Sequence, residues 1–123
     1  MEVKTKGKDP DSGSNDPKDE LKLGGNIILV GFSLEPTEMI VAKKIIGNYV
    51  KKIGEQIEYQ DIKIKLKQTK KAQLFLHEIQ ADVRVEGNVL AANATENNLY
   101  TALSEALEKI YNQAEHQHRT SRQ

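Results

Sequence analysis

The chain has 123 residues and a mass of 13.8 kDa, enough for one domain and a tail. It contains no cysteine, which excludes disulfides, thiol catalysis and every cysteine-based zinc or iron–sulfur site. Eighteen basic and eighteen acidic residues cancel, and no apolar run approaches the roughly 18 residues of a membrane-spanning helix.

Residues 1–22 hold two of the three prolines and five lysines against six acids, with almost nothing apolar. Such a segment cannot bury enough surface to offset its ordering entropy, so it reads as a disordered tail. The domain proper is expected over 23–119, with a frayed end at 120–123. Residues 26–32, NIILVGF, form a short β-branched run that reads as a strand. A turn over Ser33 to Thr37 follows, with Pro36 suited to the first position of a helix. Over 37–57, Met39, Ala42, Ile46, Tyr49, Val50, Ile53 and Ile57 recur at helical spacing. Lys43, Lys44, Lys51 and Lys52 project from the other side, and Gly47 inside the helix suggests a close packing contact.

Residues 61–67, DIKIKLK, alternate without error, setting Ile62, Ile64 and Leu66 against Lys63, Lys65 and Lys67. QTKKAQ reads as the next turn. Over 73–86 the alternation returns, with Ile79, Ala81, Val83 and Val85 on one face and Glu78, Gln80, Asp82 and Arg84 on the other. Leu74 and Leu76 then mark an apolar spot on the wet face. Residues 86–88 turn the chain into a third antiparallel strand, VLAANAT. A second helix over 96–117 carries Leu99, Leu103, Ala106, Leu107, Ile110 and Ala114 as its stripe, with Thr95 or Asn97 as its cap.

The order β-α-β-β-β-α implies a two-layer α+β fold. A four-stranded mixed sheet would carry both helices on one face, as in double-stranded-RNA-binding domains.

Chemistry-bearing motifs are sparse. His116 and His118 sit two apart, so a helix points them in different directions. His77 shares the buried parity of its strand and reads as a satisfied rim histidine. No phosphate-binding glycine loop and no nucleophile elbow occur. Neither an enzyme nor a metal or cofactor site is expected.

Charge distribution says more than its sum. Residues 41–72 hold nine lysines against three acids, whereas 73–117 hold two bases against seven acids. Cross-strand Glu78 and Asp82 can neutralise part of the Lys63/Lys65/Lys67 row. The helix lysines lack such partners, because residues 39–54 contain no acid. A basic helix face fits a polyanion.

The segment EGNVLAANATENNLYTALSEALEKIYNQAEHQH resembles the C-terminal half of the hibernation promoting factor/ribosome-associated inhibitor A family, which includes protein Y and the sigma-54 modulation proteins, in its short form. The features that carry the likeness are Gly87, Ala91, Asn98-Leu99-Tyr100, Ala102, Lys109-Ile110 and Gln113. EPTEMIVAKKIIGNYVKKIGE resembles the family's first helix, and the likeness extends over 25–119. The resemblance implies a cytoplasmic inhibitor of translation that docks on the small ribosomal subunit at the decoding region. Basic side chains of both helices would meet ribosomal RNA: Lys43, Lys44, Lys51, Lys52, Lys109, His116 and Arg119. The second helix departs from the family pattern, with Asn112 and His116 standing where Arg or Lys is common. The implied partner is the small ribosomal subunit; no membrane and no small-molecule substrate are expected, and the chain should be a monomer or weak dimer. The alternative is a protein-interaction module of the same fold that does not bind ribosomes.

Overall fold

In the computed structural model, residues 20–24 and 26–121 are described, the side chains of 119–121 excepted. The tail reading over 1–19 and the last two residues lie outside them. The chain runs β1 (Glu20–Lys22), β2 (Ile27–Val30), α1 (Pro36–Gln56), β3 (Asp61–Lys71), β4 (Leu74–Val85), β5 (Asn88–Glu96) and α2 (Leu99–Ser121).

The five strands form one sheet in the order β1-β2-β3-β4-β5. β2 and β3 pair in parallel across the α1 crossover, and the other neighbours are antiparallel. The α+β class and the two-layer arrangement are as expected, but the sheet has five strands where four were expected. The additional one, β1, comes from the segment read as tail. It has a single apolar residue, Leu21, so no hydrophobic pattern announces it. It is held by antiparallel pairing with β2, Leu21 opposite Leu29.

A second correction concerns the β3–β4 connection. QTKKAQ is not a six-residue turn: the strands continue to Lys71 and resume at Leu74, leaving only Ala72 and Gln73 between them. Ala72 takes φ 56°, the left-handed region a two-residue hairpin turn requires. The ribbon from Gln68 to His77 thereby runs past the end of β2, whose last residue Val30 faces Lys65.

One core fills the space between the layers. Ile62, Ile64 and Leu66 of β3, Ile79, Ala81, Val83 and Val85 of β4, and Leu90 and Ala94 of β5 face it. From above come Ala42, Ile46, Val50 and Ile53 of α1, with Leu99, Ala102, Leu103, Ala106, Leu107, Ile110 and Ala114 of α2. Pro36 opens α1, and the Glu38 carboxylate accepts the Glu35 N–H at 3.0 Å. Asn98, rather than Thr95 or Asn97, caps α2, its Oδ1 accepting the Thr101 N–H at 3.0 Å. The shift follows from β5, which runs on to Glu96 and delays the helix. Gly31, at φ 79°, is the tight joint behind β2: a Cβ there would lie 2.5 Å from the Leu66 carbonyl oxygen. Gly47 makes no such contact; a Cβ there would meet nothing within 4 Å.

Contacts between the helices ascend together. Tyr49 meets Glu108, Lys52 meets Tyr111, and Gln56 meets His118. α1 and α2 therefore lie side by side in parallel, with both N-termini at the end from which the β3–β4 ribbon projects.

Candidate nucleic-acid interface

On α1, Lys44 and Lys51 are seven residues apart, two turns to within about 20°, so they leave the helix in nearly the same direction. Both are exposed and lie opposite the buried stripe. Lys43 flanks them on the side of the β1 edge, where it borders a groove with Leu21, Lys22, Leu23 and Gly47. Lys52 flanks them on the other side, at α2. Its ammonium lies 4.9 Å from the ring centres of both Tyr49 and Tyr111, close enough for each ring face to attract the charge. The Tyr49 hydroxyl donates to Glu108 Oε1 at 2.9 Å. Burial, that hydrogen bond and the Glu108 charge all push the Tyr49 hydroxyl above its ordinary pKa. Lys52 is thus a positioned cation at the seam between the helices.

The α2 candidates lie elsewhere. Lys109 Nζ donates to the Asn93 carbonyl at 2.9 Å and sits 4.0 Å from Glu105 Oε2. Gln113 Nε2 donates to the Ala91 carbonyl at 2.8 Å. Both reach over the β5 edge, on the flank of α2 away from α1. His116 is on that flank too, beside Leu90, Asn112 and Gln113. The Arg119 side chain is outside the described residues. The expected site residues therefore divide into an α1 group and an α2 group, rather than forming one patch.

Acids lie between the two groups. Glu96, Glu105 and Glu108 line a shallow groove with Tyr49, Tyr100, Thr101 and Ser104. Glu96 is held above the usual carboxylate range by a hydrogen bond with Glu105, by that group's charge and by burial, with Lys109 opposing. On the sheet's outer face the register sets Lys63 opposite Asp82 and Lys67 opposite Glu78, as the alternation implied. Asp61 accepts Arg84 Nε at 3.1 Å on each oxygen, and this contact lowers the Asp61 pKa. The two histidines of α2 do diverge: His118 Nδ1 lies 2.8 Å from the Gln56 carbonyl oxygen, on the α1 side. Among the described residues no cluster of three or more His, Asp or Glu could hold a metal ion. Among them, too, no helix is long and apolar enough to cross a membrane.

Sequence reasoning missed Tyr49, Tyr111 and Glu108 as the setting of Lys52. It also missed the ribbon residues Lys70, Lys71 and Phe75, which it placed in or beside a turn. The available signal was the absence of Gly, Pro and Asn from QTKKAQ, which argued against a long turn.

The described residues thus form a two-layer domain whose α1 presents a cationic face. The family model described as sigma 54 modulation protein/S30EA ribosomal protein matches residues 35–122. The chain belongs to this family, and is a ribosome-associated factor. Two solved structures are similar in part. A ribosomal subunit interface protein from Coxiella burnetii is 18% identical, with a TM-score of 0.49 over 72% of this chain and 90% of that one. The protein Y N-terminal domain of Thermus thermophilus is 20% identical, with a TM-score of 0.40 over 78% and 98%. A comparison with curated proteins finds no match.

Proposed function

We propose that the chain binds ribosomal RNA of the small subunit near the decoding channel, in the cytoplasm, and idles translation by occupying that channel. The observation that carries the reading is the outer face of α1. Lys44 and Lys51 stand in one row with Lys43 and Lys52 at its flanks, and no acid occurs from residue 39 to residue 54. Phosphate oxygens would stabilise that row, for which the helix itself supplies no acid between residues 39 and 54. α2 contributes less than the resemblance implies, because Lys109 is engaged at the sheet edge.

Sedimentation with purified small subunits across a salt series tests this. Lys44→Glu/Lys51→Glu should weaken binding by at least about tenfold and flatten the slope of log affinity against log salt by roughly 1.5, for two lost phosphate contacts. The thermal midpoint should stay unchanged. Wild-type binding by the double variant would overturn the α1 docking face, and an affinity indifferent to salt would favour a protein partner.

A further inference from the structure

Beyond β2 and the helices, the β3–β4 ribbon is exposed on both faces, yet its composition is not that of an idle loop. Leu74 and Phe75 are 55% and 54% exposed. Lys67, Lys70 and Lys71 are exposed beside them, and no acid occurs between residues 67 and 77. The register sets Lys70 opposite Phe75, and Gln68 opposite His77. Phe75 and His77, two apart on one strand, share a face: their rings are stacked, with centroids 6.3 Å apart and planes 20° apart. Gln68 Nε2 lies 3.1 Å from His77 Nδ1 and helps to fix that ring. One face of the ribbon thus presents two near-parallel aromatic rings with a lysine alongside. Lys67 and Lys71 lie on the opposite face.

We infer that the β3–β4 ribbon is a second RNA site, taking an unpaired RNA segment whose bases stack on Phe75 and His77 while Lys70, on the same face, meets its phosphates. A base has a π-face for such rings, and a backbone phosphate supplies a counter-charge for Lys70, which pairs with no acid among the described residues. Charge complementarity argues against a protein surface as occupant: an exposed Phe and Leu alone would suit one, but lysines at a ribbon tip with no acid between residues 67 and 77 favour a polyanion. A duplex keeps its bases stacked on one another, so the site selects single strands. The inference deepens the ribosome-binding reading and takes from it only the source of the RNA.

Binding of a short labelled single-stranded RNA of mixed sequence to the full chain, followed by fluorescence anisotropy, tests it. Phe75→Ala should weaken binding about tenfold, Phe75→Leu should weaken it likewise, and Phe75→Trp should retain it. Lys70→Glu should flatten the salt slope by about 0.7. Thermal midpoints of all these variants should match wild type, because the substituted side chains are exposed. Unchanged binding by Phe75→Ala would overturn the inference, as would full retention by Phe75→Leu, which would mean an apolar contact. Self-association of the wild type that Leu74→Ser/Phe75→Ser abolishes would also overturn it, in favour of a second copy. Lys44→Glu/Lys51→Glu, run in parallel, separates the two readings. If only the ribbon reading fails, subunit binding still responds to the α1 lysines. If only the subunit reading fails, the oligonucleotide still responds to Phe75.

Discussion

α1 and α2 are amphipathic helices of similar length, 21 and 23 residues, lying in parallel on the same sheet. Yet α1 buries four side chains in the core and α2 buries seven, among the described residues. The polar side chains differ in the same sense. Those of α2 turn inward to the fold: Lys109 and Gln113 bond the β5 backbone, Glu108 holds Tyr49, and His118 meets the end of α1. On α1, Tyr49 and Lys52 join the seam, but Lys44 and Lys51 turn outward, exposed and opposite the core. Two helices that look equally amphipathic can divide the work, one holding the frame and the other presenting the surface.

The division can be broken most strongly through α2. Leu103 is fully buried between the layers, so Leu103→Ala should cost about 2–5 kcal/mol in denaturant unfolding. A cost below about 0.5 kcal/mol would mean that α2 does not carry the frame.

A smaller effect is expected at the seam. Lys52→Met keeps the stem but removes the ammonium from two aromatic rings, and should cost about 1 kcal/mol. In combination with Tyr111→Leu the loss should fall short of the sum of the two single changes, as a shared contact demands. Strict additivity would remove Lys52 from the seam and return it to the outer face.

The smallest effect is a pH dependence of opposite sign in two places. Glu96 has a raised pKa in the fold, so the folded state binds its proton more tightly than the unfolded chain does. Stability from this group should therefore rise as pH falls from neutral toward the usual carboxylate range, and Glu96→Gln should abolish that rise. Asp61 has a lowered pKa through Arg84. Its contribution is present above the usual carboxylate pKa and is lost as pH falls through the lowered value, so Asp61→Asn should flatten only the acid limb of the stability curve. The same slope in both variants would contradict the pairings described.

The sheet and the two helices were legible because each has a periodic apolar face. Ile62, Ile64 and Leu66, and Ile79, Ala81, Val83 and Val85, announced β3 and β4 by alternation. β1 was illegible because one leucine makes no period, and its place depends on the open edge of β2. The two-residue turn at Ala72 was hidden because alanine rarely takes a positive φ and carries no turn signature. In the candidate site the lysines were legible by type, but not their surroundings. The rings beside Lys52 include one 59 residues away, and the acceptor of Lys109 is a backbone carbonyl, which every residue possesses.

That last contact bears on how the protein behaves when it is abundant. A sheet can add strands from another molecule wherever an edge exposes unpaired backbone groups, and a chain with two such edges can polymerise without limit. Here the Ala91 and Asn93 carbonyls on the β5 edge are already covered by Gln113 and Lys109, and the opposite edge is the three-residue β1. With one border shielded, strand-to-strand association would stop at pairs instead of growing into fibres. The side chains that pin α2 to the sheet thereby also occupy acceptors that a strand from a second molecule would need.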